Sequence, residues 1–557
     1  MAEQVQSGLE ALISGGKPSG SSQGLGKYTC LVIDDMHNFR ITMRQMLRAM
    51  GVDRVDFAVS GEEGVDKCRF RQYDFIFCDY NLGKARSGQQ VLEMLRHEHL
   101  LKAPSMFIMV TAEITRVAVM GAREFKPDAY LAKPITALLL RDRVQRLAYR
   151  MENYRELYVA LGNHQFAEAI GLCKQLIGAH REDAGYLREL LGDIYIDAGQ
   201  LDDALQYFEA VCAKRLLPWA MLGIGRVYMQ RQQYVPAIDA IERLVNEFPH
   251  YVEGYDLMAL AYRAVNQPAN AQKALMRAVK YSPNMLIRQR ELAEVSEVIK
   301  DADTAAEAWK QVVRLSPHSM HHHESNYLGY ARALLEQSVV NQDAEIALES
   351  VEFLDAAVRQ FRGNDVFAAT TNMMAARALF MVGRKEEAES RLREARRLMQ
   401  GETNLGADVS MDLAQTLAIS GRVEEADAIL VKLMRDNASD GKLVEKINRL
   451  FEEPPTDALR KEAKNLYNLA SEAYKTHDYD QSLRLFEQTL QIVPRHPGMN
   501  LNIIQVAMRK MKEKGPAPKE INLCKRAFER IDYICEGHPL KEKVDTLRAR
   551  FDVMVGV

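Results

Sequence analysis

Residues 28–35 read YTCLVIDD, a short apolar run closed by two carboxylates, Asp34 and Asp35. The same grammar recurs downstream. DFIFC (74–78) is followed by Asp79, SMFIMV (105–110) by Thr111, and DAYLA (128–132) by Lys133 and Pro134, while RVDFAV (54–59) supplies a fifth run. Amphipathic stretches of helical period separate the runs. Strand alternating with helix, five times over 28–150, predicts a parallel sheet covered by helices on both faces. DFIFC and SMFIMV are almost continuously apolar, as central strands of such a sheet must be. Ligands of these folds sit at the carboxyl ends of the strands. The candidate site is therefore the set of polar residues just beyond the runs: Asp34, Asp35, Asp79, Thr111 and Lys133. Clustered carboxylates repel one another and call for a cation. Hard oxygen donors without His or Cys suit Mg²⁺. A lysine beside them suits a dianionic phosphoryl group.

The motifs VIDD, IFCDYN, MVTAE and LAKP stand in this order, with 44 residues from Asp35 to Asp79, 32 to Thr111 and 22 to Lys133. Together they resemble the receiver domain of bacterial two-component response regulators. The resemblance covers all of 28–150 and implies a flavodoxin-like, five-stranded parallel α/β fold. It also implies roles. Asp79 matches the phosphoacceptor. Asp34, Asp35, Asp79 and the backbone carbonyl of Asn81 match the Mg²⁺ site. Thr111 and Lys133 match the residues that contact the phosphoryl group, and Tyr130 matches the aromatic switch. The Lys133–Pro134 bond is expected to be cis. The loop NLGKARSG after Asp79 departs from the family pattern: it carries no proline and is slightly long. Signalling would run from the phosphoryl group through Thr111 and Tyr130 to the face formed by about 113–150.

Beyond residue 150 the strand pattern stops and a repeat begins. Ala204, Ala237, Ala271 and Ala305 are spaced 33, 34 and 34 residues apart, and Pro249, Pro283 and Pro317 are spaced 34 and 34. Small residues recur upstream (Gly192, Gly225, Ala259, Ala293), and large ones recur downstream (Phe208, Ile241, Leu275, Trp309). This resembles the tetratricopeptide repeat (TPR), in which small residues let two antiparallel helices approach, large ones fill the seam and proline ends the second helix. The phase extends outward through Ala169, Ser350, Ala388, Ala426 and Ser482. The expectation is an all-α TPR superhelix of about nine repeats over 151–557, irregular near 320–350 and 437–462, with GKLVEKINRLFEEPP as an extra helix stopped by Pro454. The stretch 135–163, free of Gly and Pro until Gly162, predicts the last receiver helix running into the first repeat helix, either continuously or through a tight junction.

Composition narrows the function classes. The 557 residues carry 73 Lys plus Arg against 76 Asp plus Glu, so no global basic field points to nucleic acid or an anionic membrane. Seven cysteines without CxxC spacing read as reduced thiols, and no run approaches a membrane span. A cytoplasmic protein is expected. Residues 1–27 read as a flexible Gly/Ser-rich tail with a short amphipathic segment at Glu3–Ile13, and not as a secretory signal. His318, His321, His322 and His323 point in different directions on any helix and are read as a solvated helix start, not a metal site. The first-helix positions Glu189, Leu222, Asp256, Arg290 and Asp193, Arg226, Leu260, Glu294 do not resemble the clamp by which some such domains hold a peptide carboxylate.

The resulting expectation is a non-enzymatic response regulator of a phosphorelay. It would take a phosphoryl group from a histidine kinase or phosphotransfer protein, and act by protein–protein binding through its repeats. The alternatives are a modulator or phosphate sink acting on a kinase or another regulator, and a constitutive scaffold.

Overall fold

The computed structural model describes residues 25–83, 86–101, 104–112, 127–399, 406–437, 440, 443, 446–447, 450–451, 457–493, 495–534 and 540–555. The amphipathic segment expected at 3–13 and Pro454 lie outside them. The chain divides into two compact units, 1–326 and 327–557.

The first unit opens on a five-stranded parallel sheet. Its strands are β1 (Thr29–Ile33), β2 (Arg54–Ala58), β3 (Phe75–Asp79), β4 (Met106–Thr111) and β5 (Ala129–Ala132), in the order β2-β1-β3-β4-β5. Helices α1 (His37–Ala49), α2 (Gly61–Phe70), α3 (Gly88–His97) and α4 (Ala137–Asn153) accompany them. Every residue of β3 is buried, and β4 is buried up to its half-buried last residue, because side chains on both faces meet helices. One face packs Cys30, Val32, Phe75 and Phe77 beneath α1 and α4, and the other packs Leu31, Ile33, Ile76 and Phe107 beneath α2 and α3. The helix starts are specified locally. The Ser60 hydroxyl accepts the Glu63 amide at α2, Thr136 caps α4, and Ser87 and Gln90 form a reciprocal capping box at α3. Residues 25–27 are not tail: they form a 3₁₀ turn whose Leu25 is buried against the first core layer.

Among the described residues, ten helices follow in this unit: α5 (Arg155–Gly162), α6 (Phe166–Ala179), α7 (Ala184–Asp197), α8 (Leu201–Lys214), α9 (Pro218–Gln230), α10 (Tyr234–Glu247), α11 (Val252–Ala264), α12 (Pro268–Tyr281), α13 (Leu286–Val298) and α14 (Ala302–Leu315). The junction at 135–163 is tight and not one continuous helix. Helix α4 ends at Asn153, Tyr154 leaves helical geometry at ψ 17°, and α5 starts afresh. The break is pinned by side chains. Arg150 donates two hydrogen bonds to Asp183, at 2.9 and 2.7 Å, and stacks on the Tyr186 ring at 4.4 Å, while the Tyr154 hydroxyl donates to Asp183 at 3.0 Å.

The second unit holds α15 (Glu324–Asn341, whose first turn precedes the division), α16 (Ala344–Gln360), α17 (Asp365–Met381), α18 (Lys385–Leu398), α19 (Ala407–Ile419), α20 (Val423–Asp436), α21 (Asp457–Lys475), α22 (Tyr479–Ile492), α23 (Pro497–Lys514), α24 (Pro518–Arg530) and α25 (Lys541–Val555). In the nine helices α6, α8, α10, α12, α14, α16, α18, α20 and α22, the aligned Ala or Ser stands ten residues before the last residue. The 17-residue α16 keeps this register at Ser350 and carries its extra turn at the start. Small-against-large packing explains the phase. A Cβ added to Gly192 or to Gly223 would lie 2.4 Å from the Phe208 ring, so α7 and α9 both rest on that one side chain. Leu443, Lys446, Ile447, Leu450 and Phe451 are helical. The pair α23–α24 and the final α25 lie beyond Ser482 and were not legible in the repeat phase, since no Ala or Ser marks them at its spacing.

Candidate functional site

The site sits at the carboxyl ends of β1, β3, β4 and β5. Asp34 directly follows β1 and is fully buried, Asp79 is the last residue of β3, and Lys133 directly follows β5. The sheet order places β1 and β3 side by side, so two carboxylates far apart in sequence become neighbours. Lys133 Nζ lies between them, 2.8 Å from Asp34 Oδ2 and 2.8 Å from Asp79 Oδ2. Its charge also rests over the Phe39 ring, 4.1 Å from the centroid. The other Asp34 oxygen accepts the Met36 amide at 2.8 Å. One carboxylate oxygen from each of Asp34, Asp35 and Asp79 lies within 4.8 Å of the others. Among the described residues this is the only such group of three or more metal-ligating side chains.

The electrostatics follow from burial. Burial raises the Asp79 carboxyl above its ordinary range, and the Lys133 hydrogen bond opposes that rise. Burial would lower Lys133, but its hydrogen bonds to Asp34 and Asp79 outweigh this and hold the ammonium above its ordinary value. Three carboxylates against one ammonium leave a deficit of two positive charges, the charge of one divalent ion. An all-oxygen donor set selects a hard ion of that charge, so the residues present fit Mg²⁺.

The remaining candidates are placed as follows. Thr111 ends β4, pairs with Ala132, and accepts the Lys133 amide on its carbonyl at 2.7 Å. Tyr130 lies in β5, half-buried against the core layer that holds Ile76 and Phe107. Asn81 is exposed, and its side-chain oxygen accepts the Gly83 amide at 3.2 Å. The Lys133–Pro134 bond is cis. Two contributors escaped the sequence reading. Phe39 carries the Lys133 ammonium, and only its position at the start of α1 hinted at this. Gly88 lies against the back of the site: a Cβ there would stand 2.1 Å from the Asp79 carbonyl oxygen. Cys78, beside Asp79, is fully buried, and burial pushes its thiol well above the ordinary value, so it is a strand residue and not a nucleophile.

Four of the repeat positions compared with a carboxylate clamp, Asp193, Arg226, Asp256 and Arg290, hold polar partners within the repeats. Asp193 pairs with Arg226, Asp256 takes two hydrogen bonds from the buried Arg288 at 2.7 and 2.6 Å, and Arg290 donates to Asn326 at 2.8 Å. The histidines also find separate partners: His322 meets Ser316 at 3.2 Å, His323 meets Ser325 at 2.9 Å, and His318 lies 3.6 Å from Glu62. The second unit has a small cleft of about 140 Å³ lined by Leu335, Met381, Phe451, Asp427 and Arg495 among others. Among the described residues no helix is long and apolar enough to cross a membrane.

Residues 30–145 match the response regulator receiver domain, and 154–218, 219–251 and 252–285 match tetratricopeptide repeats. The chemotaxis protein CheY of Pseudomonas aeruginosa is 26% identical over 121 residues, which are 22% of this chain and 96% of that protein. The chemotaxis protein CheY-3 of Vibrio cholerae is 26% identical over 121 residues, 22% of this chain and 92% of that one. Among solved structures, the beryllofluoride-activated DrrB receiver domain is 23% identical, with a TM-score of 0.20, covering 22% of this chain and 98% of its own. MamA from Desulfovibrio magneticus is 24% identical, with a TM-score of 0.25, covering 29% and 92%. The chain carries a response regulator receiver domain over residues 30–145, followed by tetratricopeptide repeats over 154–285.

Proposed function

We propose that this protein is a cytoplasmic response regulator of a phosphorelay, which accepts a phosphoryl group on Asp79 and passes the signal on by protein binding through its repeats. The observation that carries the reading is the Asp34–Asp35–Asp79 cluster with Lys133 held 2.8 Å from two of its members. An Asp79 carboxylate oxygen attacks phosphorus of a phosphohistidine on a histidine kinase or phosphotransfer protein. The new P–O bond forms as the P–N bond breaks, and the imidazole nitrogen leaves with the electron pair. Asp34, Asp35, Asp79 and the Asn81 carbonyl would hold Mg²⁺, which supplies positive charge against the phosphoryl oxygens. Lys133, already poised on Asp79, takes up a phosphoryl oxygen. Thr111, joined to Lys133 through its backbone carbonyl, presents its hydroxyl to another, and Tyr130 follows that movement as the switch. The Arg150–Asp183 contact then joins the end of α4 to the first repeats.

The test is incubation of the full chain with acetyl phosphate, with and without EDTA, read by intact mass. The expected result is one acid-stable, base-labile phosphoryl group on wild type with Mg²⁺, and none on Asp79→Asn or in EDTA. Modification of Asp79→Asn to the same extent would overturn the assignment.

A further inference from the structure

The loop that departs from the receiver pattern is also the one that touches the repeats. Arg86 donates through Nε to the His318 carbonyl at 3.0 Å. Gln90, in the first turn of α3, donates its side-chain amide to the carbonyls of Leu315 and Pro317, at 3.4 and 3.3 Å. Glu62, at the start of α2, accepts the Arg86 amide at 3.3 Å and lies 3.6 Å from His318. Met285, just before α13, packs against the receiver core layer that holds Tyr80 and Leu92. The three carbonyls end and follow α14, where backbone oxygens lack helical partners and attract donors. Receiver and repeats are therefore joined at Arg150–Asp183 and again, more than a hundred residues later, at the end of α14.

This second joint is mechanically tied to Asp79. At its near end, the position of a Cβ on Gly83 is 3.4 Å from an Asp35 carboxylate oxygen, so Gly83 lies against the acidic cluster. At its far end, Gly88 abuts the Asp79 carbonyl and its amide donates to the Tyr80 carbonyl at 3.0 Å. A change at Asp79 has little slack to dissipate before it reaches Arg86 and Gln90. Arg86 now gives its Nε–H to a neutral carbonyl. A phosphoryl dianion seven residues upstream is a much stronger acceptor for a guanidinium.

We propose that the Arg86–Gln90 segment latches the unphosphorylated receiver onto the end of α14, and that phosphorylation of Asp79 releases this latch and uncovers Met285 and the Leu315–His318 turn. The proposal rests on Asp79 as phosphoacceptor. It goes beyond that reading in naming the contact that responds. It also moves the expected site of response: the resemblance pointed to the face at about 113–150, whereas the latch lies at 285 and 315–318.

Gln90→Glu provides a clean probe. The carboxylate keeps the capping-box acceptor for Ser87 and suits a helix start, but it loses the amide donor and faces two carbonyls. Arg86→Ala is the second variant. Hydrogen exchange on the full chain, read at 312–322, compares wild type, both variants and wild type treated with acetyl phosphate and Mg²⁺, with intact mass recorded in parallel. The expected result is exchange about tenfold faster at 312–322 in each variant and in the phosphorylated protein, with α10 unchanged and with normal phosphorylation of Gln90→Glu. Unchanged exchange at 312–322 in both variants would show that no latch exists. Phosphorylated wild type, verified by mass, with unchanged 312–322 would overturn the release. Absence of phosphorylation would overturn the coupling together with the phosphoacceptor reading, and the mass spectrum separates that case from the others.

Discussion

Replacing Lys133 by Met tests the electrostatic core of the site. The substitution keeps most of the aliphatic stem and removes the one cation held between Asp34 and Asp79. The side chains of Lys133, Asp34 and Asp79 are 18%, 1% and 9% exposed, so solvent screens the trio weakly. Each 2.8 Å pair carries a gross attraction of about 6 kcal/mol at an effective dielectric constant of about 20. Desolvation offsets much of it, and removing one partner of a buried pair costs about 3–5 kcal/mol in practice. At about 4 kcal/mol, amides of β1 and β3 that exchange through unfolding of the domain should exchange about 10³-fold faster in EDTA at pH 7. Both tryptophans, Trp219 and Trp309, lie in the repeats, so hydrogen exchange resolved to β1 and β3 is the suitable assay. Mg²⁺ should reverse part of the defect. An ion present at about 100 times its dissociation constant restores about 2.7 kcal/mol, or roughly 10²-fold in protection. The variant should gain more from Mg²⁺ than wild type, because in wild type the ammonium already occupies the carboxylates the ion would use. Protection in β1 and β3 within threefold of wild type in EDTA, or a smaller Mg²⁺ effect in the variant, would refute this account of the charge balance.

Three further outcomes follow from single contacts. Gly88→Ala places a methyl 2.1 Å from the Asp79 carbonyl oxygen, which α3 can relieve only by shifting, so the receiver should lose about 2 kcal/mol or more in denaturant unfolding and phosphorylate slowly. Arg150→Ala leaves Asp183 with Tyr154 but without its bidentate partner, and should cost about 2–3 kcal/mol, seen as faster exchange in α7 with α10 unchanged. In the second unit, burial holds the Asp427 carboxyl up at about 6, with Arg495 opposing. Its proton is bound more tightly in the folded chain than in the unfolded chain, where the pKa is about 3.9. Stability is therefore lost as pH rises from about 4 to about 6 and is flat above that, a change of up to about 3 kcal/mol. Asp427→Asn should abolish this dependence and raise the urea midpoint at pH 8; an unchanged or lower midpoint there would contradict it.

Most of the receiver was legible because its signals are local. A strand buried on both faces must be continuously apolar, and a residue that ends such a strand is committed to the carboxyl edge of the sheet. That is why Asp34, Asp79, Thr111 and Lys133 could be named from their place just beyond the apolar runs. The repeats were legible for a similar reason. A helix pair that must approach closely needs a small residue opposite a large one, and that need recurs with every pair, as at Gly192, Gly223 and Phe208. The pair α23–α24 escaped because its packing does not use that residue at that phase.

The α/β-then-helical order, the members of the acidic cluster and the register of the helical repeats were all written in the chain, since each depends on near neighbours or on a periodic pattern. Which groups meet across long separations was left to tertiary packing. It set Lys133 between Asp34 and Asp79 over Phe39. It turned the chain at Tyr154 through Asp183 and brought Arg86 and Gln90 to the backbone carbonyls that end α14. Backbone carbonyls are the same in every residue, so an acceptor such as the oxygen of His318 leaves no mark in the sequence. Its partner is decided by where the intervening helices carry it.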